Sequence, residues 1–484
     1  MKKFWVLSLL AFAVLSGAAV WLGGLNQDEG WYLYAAQLVG EGKMPYRDFA
    51  YTQGPLMPLC YSFFAWVWKS WGLLGARLLT LCIGSAAIVF TLALARKVAS
   101  DETRSIVPLS VFLLLGCNLY HLYYIAIPKT YALAGLFVSM GFFLLALAED
   151  GNRRRFAALS GIALAFAAGS RISLGAILPI VGVALLVRRR WAQAVFFAMG
   201  AFVALSAVYG PCLLDAGARE GFFAAQRYHA SRGGSDIVWT VGSLSRLVRW
   251  YLPIFILLGM GFTAKASWLV RTLGLAFAAV FAVQISAPFP YEDYQVPIMS
   301  LLAVYAAVKF ASSCVSHAGA VRPALLVLGL SFACSFGSPL LEKWTTNGQD
   351  RFWTRKKTKC ELAQLRDVAS RIEALDPGGK ELLTQDLYLA VETGRRVPEG
   401  LEMGPFAGLD DAGWKKLLES ASCRTAALSG YSFAIEPPVC NERPIEKQME
   451  YWAILKKRYR LVDSEEDFGQ NATTLLILER DEKK

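Results

Sequence analysis

Two carboxylates stand side by side at Asp28 and Glu29, directly after an uncharged run from Phe4 to Leu25. That run is long enough to cross a bilayer, which puts both acids where the chain leaves the hydrocarbon. Carboxylates at such an edge suit proton abstraction or cation binding. Asp48 and the turn Gln53-Gly54-Pro55 follow within one short loop, so the polar groups are concentrated beside lipid. A carboxylate in this setting can accept a proton from a hydroxyl, with its neighbour orienting the loop backbone or a cation.

Chemistry that releases an anionic group needs compensating positive charge. Three cations are candidates: Arg47, Lys129 and Arg171. Lys129 follows Pro128 in IPKTYALAG, and Arg171 sits in AAGSRISLG, where a central helix is expected to begin. An arginine in apolar surroundings costs about 2.5–3.5 kcal/mol on insertion scales, which argues for a function. The bland alternative is an anchor that snorkels to headgroups. The segment PFPYEDYQVP offers Glu292, Asp293 and Tyr294 as polar contacts, or simply as a solvated loop. His121, beside Tyr120, Tyr123 and Tyr124, reads first as structural and second as a substrate contact.

These residues must be held by membrane helices. The chain has 484 residues, is 55% hydrophobic and only 18% charged, and its mean hydropathy is +0.40, too apolar for a soluble enzyme of this size. The net charge of +11 comes in short clusters between apolar runs, such as the arginines at 153–155 and 188–190. Such clusters mark cytoplasmic loops, so nucleic acid is not an expected partner. Lys2 and Lys3 put the N-terminus inside and Asp28 outside, and the first run reads as an uncleaved anchor.

The expected fold is a polytopic α-helical membrane protein of about eleven spans with a C-terminal extracytoplasmic α/β domain. The spans fall near 4–24, 73–95, 106–125, 130–148, 156–169, 172–187, 191–210, 250–264, 267–286, 296–310 and 323–340. The two flanking Ser170-Arg171 are short for a straight crossing. Arg246 and Arg249 fall on the outside and go against the charge rule. Residues 30–42 and 54–71 are aromatic, apolar and interrupted by charge, glycine and proline, which suits helices lying in the interface.

Residues 1–340 are therefore expected to form the membrane domain and 341–484 a soluble one. In the tail, CELAQLRDVASRIEAL reads as an amphipathic helix and ELLTQDLYLAV and TAALSGYSFAI as strands. YWAILKKRYRLV reads as a helix running into a strand, and ATTLLILER as a last strand. One pair among Cys360, Cys423 and Cys440 could bridge in an oxidising compartment. No P-loop, GxGxxG, HExxH or GxSxG is present, and His121, His229 and His317 are too scattered for a metal cluster.

The order DEGWYLYAAQLVGEGKMPYRDF, then QGPL, then a multispanning bundle and an exported tail, resembles the bacterial relatives of protein O-mannosyltransferases and lipid A aminoarabinose transferases. These are membrane glycosyltransferases of the C-type fold that take sugar from a polyprenyl-phosphate donor. The resemblance covers roughly residues 1–340 and is most specific at the acidic pair. It implies inverting transfer to a cell-envelope acceptor at the outer face of the bacterial cytoplasmic membrane. Asp28 matches the family's external-loop acid, as base or acceptor-orienting group, with Glu29 and Asp48 as supporting catalytic acids. Arg47, Lys129 and Arg171 would hold the donor phosphate. Gln53, His121, Glu292, Asp293 and Tyr294 would contact sugar or acceptor.

No cofactor is required, and a divalent metal is compatible with such chemistry. Trp31 and Gln53 stand near where the aminoarabinose transferases carry an arginine and a lysine, which leaves the donor sugar open. A lipid or sugar transporter, or a non-catalytic scaffold, are the other classes. The acids at the membrane surface and the lack of a repeat between the two halves speak against transport.

Overall fold

The computed structural model describes residues 2–231, 237–315, 360–404, 409–430, 445–470 and 472–481. In chain order the helices are α1 Lys2–Leu22, α2 Gln27–Gly40, α3 Leu56–Ser62, α4 Ala65–Val98, α5 Ile106–Gly116, α6 Leu119–Ala126, α7 Thr130–Glu149 and α8 Arg154–Ser170. They continue as α9 Ile177–Val187, α10 Trp191–Leu214, α11 Ala216–Ser231, α12 Ile237–Trp250, α13 Leu252–Met260, α14 Trp268–Ile285 and α15 Met299–Val315. The tail holds α16 Glu361–Leu375, α17 Leu387–Thr393, α18 Asp411–Ser420, β1 Thr425–Ser429, α19 Ile445–Lys456, β2 Tyr459–Phe468 and β3 Thr473–Arg480.

The protein is a polytopic helical membrane protein. Among the described residues six helical segments are long and apolar enough to cross a bilayer, and two bent pairs raise the count to eight if each is one span. The difference from eleven has local causes. The run 106–125 is broken, with α5 and α6 meeting at 70°, because the Asn118 side chain caps α6 by accepting from the His121 N–H at 3.0 Å. The run 250–264 is the second arm of a pair, α12 with α13, bent by 76°. Residues 172–187 form a 3₁₀ turn followed by the 11-residue α9, and α8 has 17 residues. The expected span 323–340 lies outside the described residues.

The chain packs as two compact units. The first comprises residues 1–19, 52–57 and the described part of 79–341. Small residues let its helices approach closely. A Cβ added at Gly161 of α8 would lie 2.9 Å from the Ala201 nitrogen of α10, and Ala165, Ala201 and Ala204 form a core cluster at the same crossing.

The second unit comprises residues 20–51, 58–78 and the described part of 342–484, so segments flanking and following Asp28 pack with the tail. It contains a three-stranded antiparallel sheet of order β1-β3-β2. Helix α16 buries Leu362, Leu365, Val368, Ala369 and Ile372 at helical spacing. The helix–strand reading of YWAILKKRYRLV and the final strand are found as α19–β2 and β3.

ELLTQDLYLAV is not a strand. Only isolated bridges at Glu381 and Leu383 remain, and Leu387 to Thr393 turn into α17, ended by Gly394 at φ 67°. The alternation was short, and Leu387, Ala390 and Val391 bury equally well at helical spacing. TAALS forms β1, while 431–435 lie outside the described residues. Cys360 and Cys423 are free thiols, and Cys440 lies outside the described residues.

Candidate functional site

The sequence-singled residues fall into two groups, one within each unit. In the second unit the acidic pair opens α2. The Asn26 side chain accepts from the Asp28 N–H at 3.0 Å, and the Glu29 carboxylate accepts from the Asn26 N–H at 3.0 Å, closing a capping box. This fixes the helix start at the pair itself. Gly30 is obligatory, because a Cβ there would lie 2.5 Å from the Leu387 carbonyl carbon. Asp28 keeps its side chain half-buried, whereas Glu29 is fully buried.

Glu29 is held by Arg77, a residue the sequence reading passed over. Arg77 donates from Nε to Glu29 at 2.7 Å and from one terminal nitrogen at 2.6 Å. Its remaining donors reach the carbonyls of Val20, Gly23 and Gly24 at 2.9–3.0 Å. All five N–H groups of a guanidinium are thereby accounted for. The signal was present, since a lone arginine inside the apolar run LLGARLLTL is rarely idle.

Arg47 and Asp48 partner each other at 2.9 Å on the surface. The Arg47 guanidinium and the Met44 N–H hold the Asp48 carboxyl down at about 2. Such an acid stays ionised and is a poor base.

In the first unit, Lys129 precedes α7 and Arg171 ends α8. Both are buried, as are Glu292 and Asp293. Lys129 Nζ donates to Asp293 at 3.0 Å, and the Tyr131 hydroxyl donates to the same oxygen at 2.9 Å. Lys129 also lies over the Tyr131 ring at 4.9 Å and the Tyr124 ring at 5.4 Å. The Arg171 guanidinium faces Tyr294 at 4.4 Å and Tyr131 at 5.1 Å. Two cations are thus boxed by tyrosine rings beside one carboxylate, where the quadrupoles of the rings offset part of the desolvation cost.

Glu292 points elsewhere, accepting from Arg246 at 2.8 Å and from the Ser243 hydroxyl at 3.3 Å. Arg246 is a second missed partner, and its clash with the charge rule was the clue. His121 Nδ1 meets the Tyr251 hydroxyl at 3.0 Å and belongs to a packing network with Asn118 and Trp250 rather than to the ion cluster. Gln53 lies half-buried in the 52–57 turn. The next residue, Gly54, abuts Gly169, since a Cβ there would come within 2.6 Å of the Gly169 carbonyl carbon, two residues before Arg171. Among the described residues no group of three or more His, Cys, Asp or Glu side chains is arranged to hold a metal ion.

No family model matches the sequence, and no curated protein matches it. The structure does have relatives. ArnT from Cupriavidus metallidurans in the apo state superposes with a TM-score of 0.63 at 14% identity, covering 98% of each chain. The same protein bound to undecaprenyl phosphate gives 0.62 at 13% identity, over 99% of this chain and 98% of that one. This is the C-type membrane glycosyltransferase fold. The archaeal oligosaccharyltransferase AglB from Archaeoglobus fulgidus, in complex with an inhibitory peptide and a dolichol-phosphate, shares the fold with a TM-score of 0.53 at 11% identity. That match covers 89% of this chain and 70% of that one. The C-type fold here thus extends over the tail as well as the spans, further than the residues 1–340 that carry the sequence resemblance.

Proposed function

We propose that this protein is an inverting glycosyltransferase that moves a sugar from a polyprenyl-phosphate donor to a cell-envelope acceptor at the outer face of the bacterial cytoplasmic membrane. The observation that carries this reading is full-length likeness to ArnT, including its undecaprenyl-phosphate-bound form. A polyprenyl phosphate joins an anionic head to an apolar chain. The first unit offers buried cations to the one and apolar helices to the other.

In this reading Asp28 takes the proton of the acceptor hydroxyl, whose oxygen attacks the sugar carbon. The bond from that carbon to the phosphate oxygen breaks, and the lipid phosphate leaves with the electron pair. Negative charge then gathers on the phosphate, where Lys129 and Arg171 act, since groups aimed at developing charge contribute most. Glu29 supports Asp28 by fixing the start of α2. Asp293 and Tyr131 set the position of Lys129. The Arg47–Asp48 pair stands outside the chemistry, each group already engaged by the other.

The reading is tested by incubating purified protein with radiolabelled polyprenyl-phosphate sugars and bacterial membrane extract. Movement of label from lipid to an envelope acceptor is expected for at least one donor. Retention of label on every lipid donor would overturn it.

A further inference from the structure

A charged cavity lies in the first unit, far from Lys129. Helix α7 runs 20 residues from Thr130 to Glu149, about 30 Å at the α-helical rise, so its far end lies a hydrocarbon thickness from the Lys129 cluster. There Lys97 of α4 pairs with Asp150 at 2.5 Å. Gln193 of α10 donates to the Ala148 carbonyl at 2.6 Å, and the Trp268 indole of α14 donates to Glu149. These ties gather Lys97 and the arginines of 153–155 and 188–190 at one end of the unit. Under the positive-inside rule that end faces the cytoplasm.

Beside Lys97 a cavity of about 670 Å³ opens between Trp5, Leu92, Arg96, Asp101, Arg104 and Pro108. Arg104 reaches Asp101 only at 3.5 Å, and Asp101 is 98% exposed, so that pair neutralises little. Arg96 forms no ion pair with any described residue. The other wall is apolar. From Trp5 the surface of α1 continues through Phe4, Leu7, Leu10 and Val14, all at least half exposed. Guanidiniums at one end, an indole beside them and an apolar helix face beyond it match the parts of one amphiphile.

We propose that this cavity binds the phosphate of an anionic phospholipid of the cytoplasmic leaflet, with Arg96 and Arg104 donating to phosphate oxygens and an acyl chain lying along α1. The site is independent of the donor phosphate site at Lys129 and Arg171. It would tie the basic end of the bundle to the leaflet whose surface potential is negative.

Native mass spectrometry of the full chain in neutral detergent, titrated with phosphatidylglycerol, phosphatidylcholine or inorganic phosphate, tests this. Wild type is expected to retain one phosphatidylglycerol in preference to phosphatidylcholine. Arg96→Gln/Arg104→Gln should bind it roughly 25-fold more weakly, at about fivefold per arginine. Arg154→Gln/Arg155→Gln, at the same end, should bind as wild type does. Equal loss in both double variants would mean diffuse attraction to basic surface and would overturn the site, as would no loss in the first. Binding of inorganic phosphate as tight as that of phosphatidylglycerol would overturn the lipid assignment. If the glutamine variant does not fold, Arg96→Lys/Arg104→Lys is read instead. Intermediate affinity supports the arginine forks, and wild-type affinity rejects them.

Discussion

Arg77 in the second unit and Arg171 in the first are both buried arginines, and they are held in opposite ways. Arg77 is saturated, its five donors divided between Glu29 and three backbone carbonyls. Arg171 rests on the faces of Tyr131 and Tyr294, with a lysine–carboxylate pair sharing the Tyr131 ring. A guanidinium with every donor committed to its own chain is part of the scaffold. One stacked on tyrosine rings is positioned through its plane, a geometry that also suits a guanidinium recognising an anion. The same contrast separates the acids, since Glu29 is closed into the capping box and the Arg77 fork while Asp28 stays half-exposed beside it.

The largest effect tests the scaffold side of that comparison. Arg77→Met leaves Glu29 as a buried charge without its partner and is expected to cost about 3–5 kcal/mol. Thermal unfolding in detergent reads this as a large fall in melting temperature with loss of soluble yield. Arg171→Gln should do the reverse, lowering sugar transfer about 100- to 1000-fold with a melting shift smaller than that of Arg77→Met. If Arg171→Gln unfolds the protein as readily, the contrast fails. Arg246→Gln sits between the two. It strips the buried Glu292 of its guanidinium and should cost about 1–3 kcal/mol of stability, with transfer reduced less than by Arg171→Gln.

The smallest effect concerns pH and sharpens the picture of the second unit. Asp386 accepts from Gln27 at 2.7 Å and from Tyr388 at 2.9 Å, yet burial pushes its pKa above the ordinary carboxylate value. The folded state then holds this proton more tightly than the unfolded one, so its contribution to stability falls as pH rises from the unfolded value through the folded one. Asp48 has the opposite sign. Its depressed value contributes stability above the unfolded pKa, lost as pH falls toward about 2, and its exposure makes that contribution small. Unfolding followed from pH 4 upward should show Asp386→Asn with a flatter profile than wild type.

Much of the helical framework was readable, because long apolar runs leave few alternatives to a spanning helix. The acidic pair, Lys129 after Pro128 and Arg171 after Ser170 also stand out by residue type and setting, and the structure brings Lys129, Arg171, Asp293 and Tyr294 into one cluster. What was not readable is partnership across sequence distance. Glu29 with Arg77, Glu292 with Arg246 and His121 with Tyr251 are set by packing, not spacing. ELLTQDLYLAV failed for a related reason: a short alternation fits two periods, and tertiary burial chose between them.

The central claim is that Asp28, and not its buried neighbour, takes the acceptor proton. It is tested most directly by measuring sugar transfer from a labelled polyprenyl-phosphate donor by wild type and Asp28→Asn, purified in parallel with matched melting temperatures. The account predicts a loss of at least about 100-fold for the variant. Equal transfer by both proteins would contradict it.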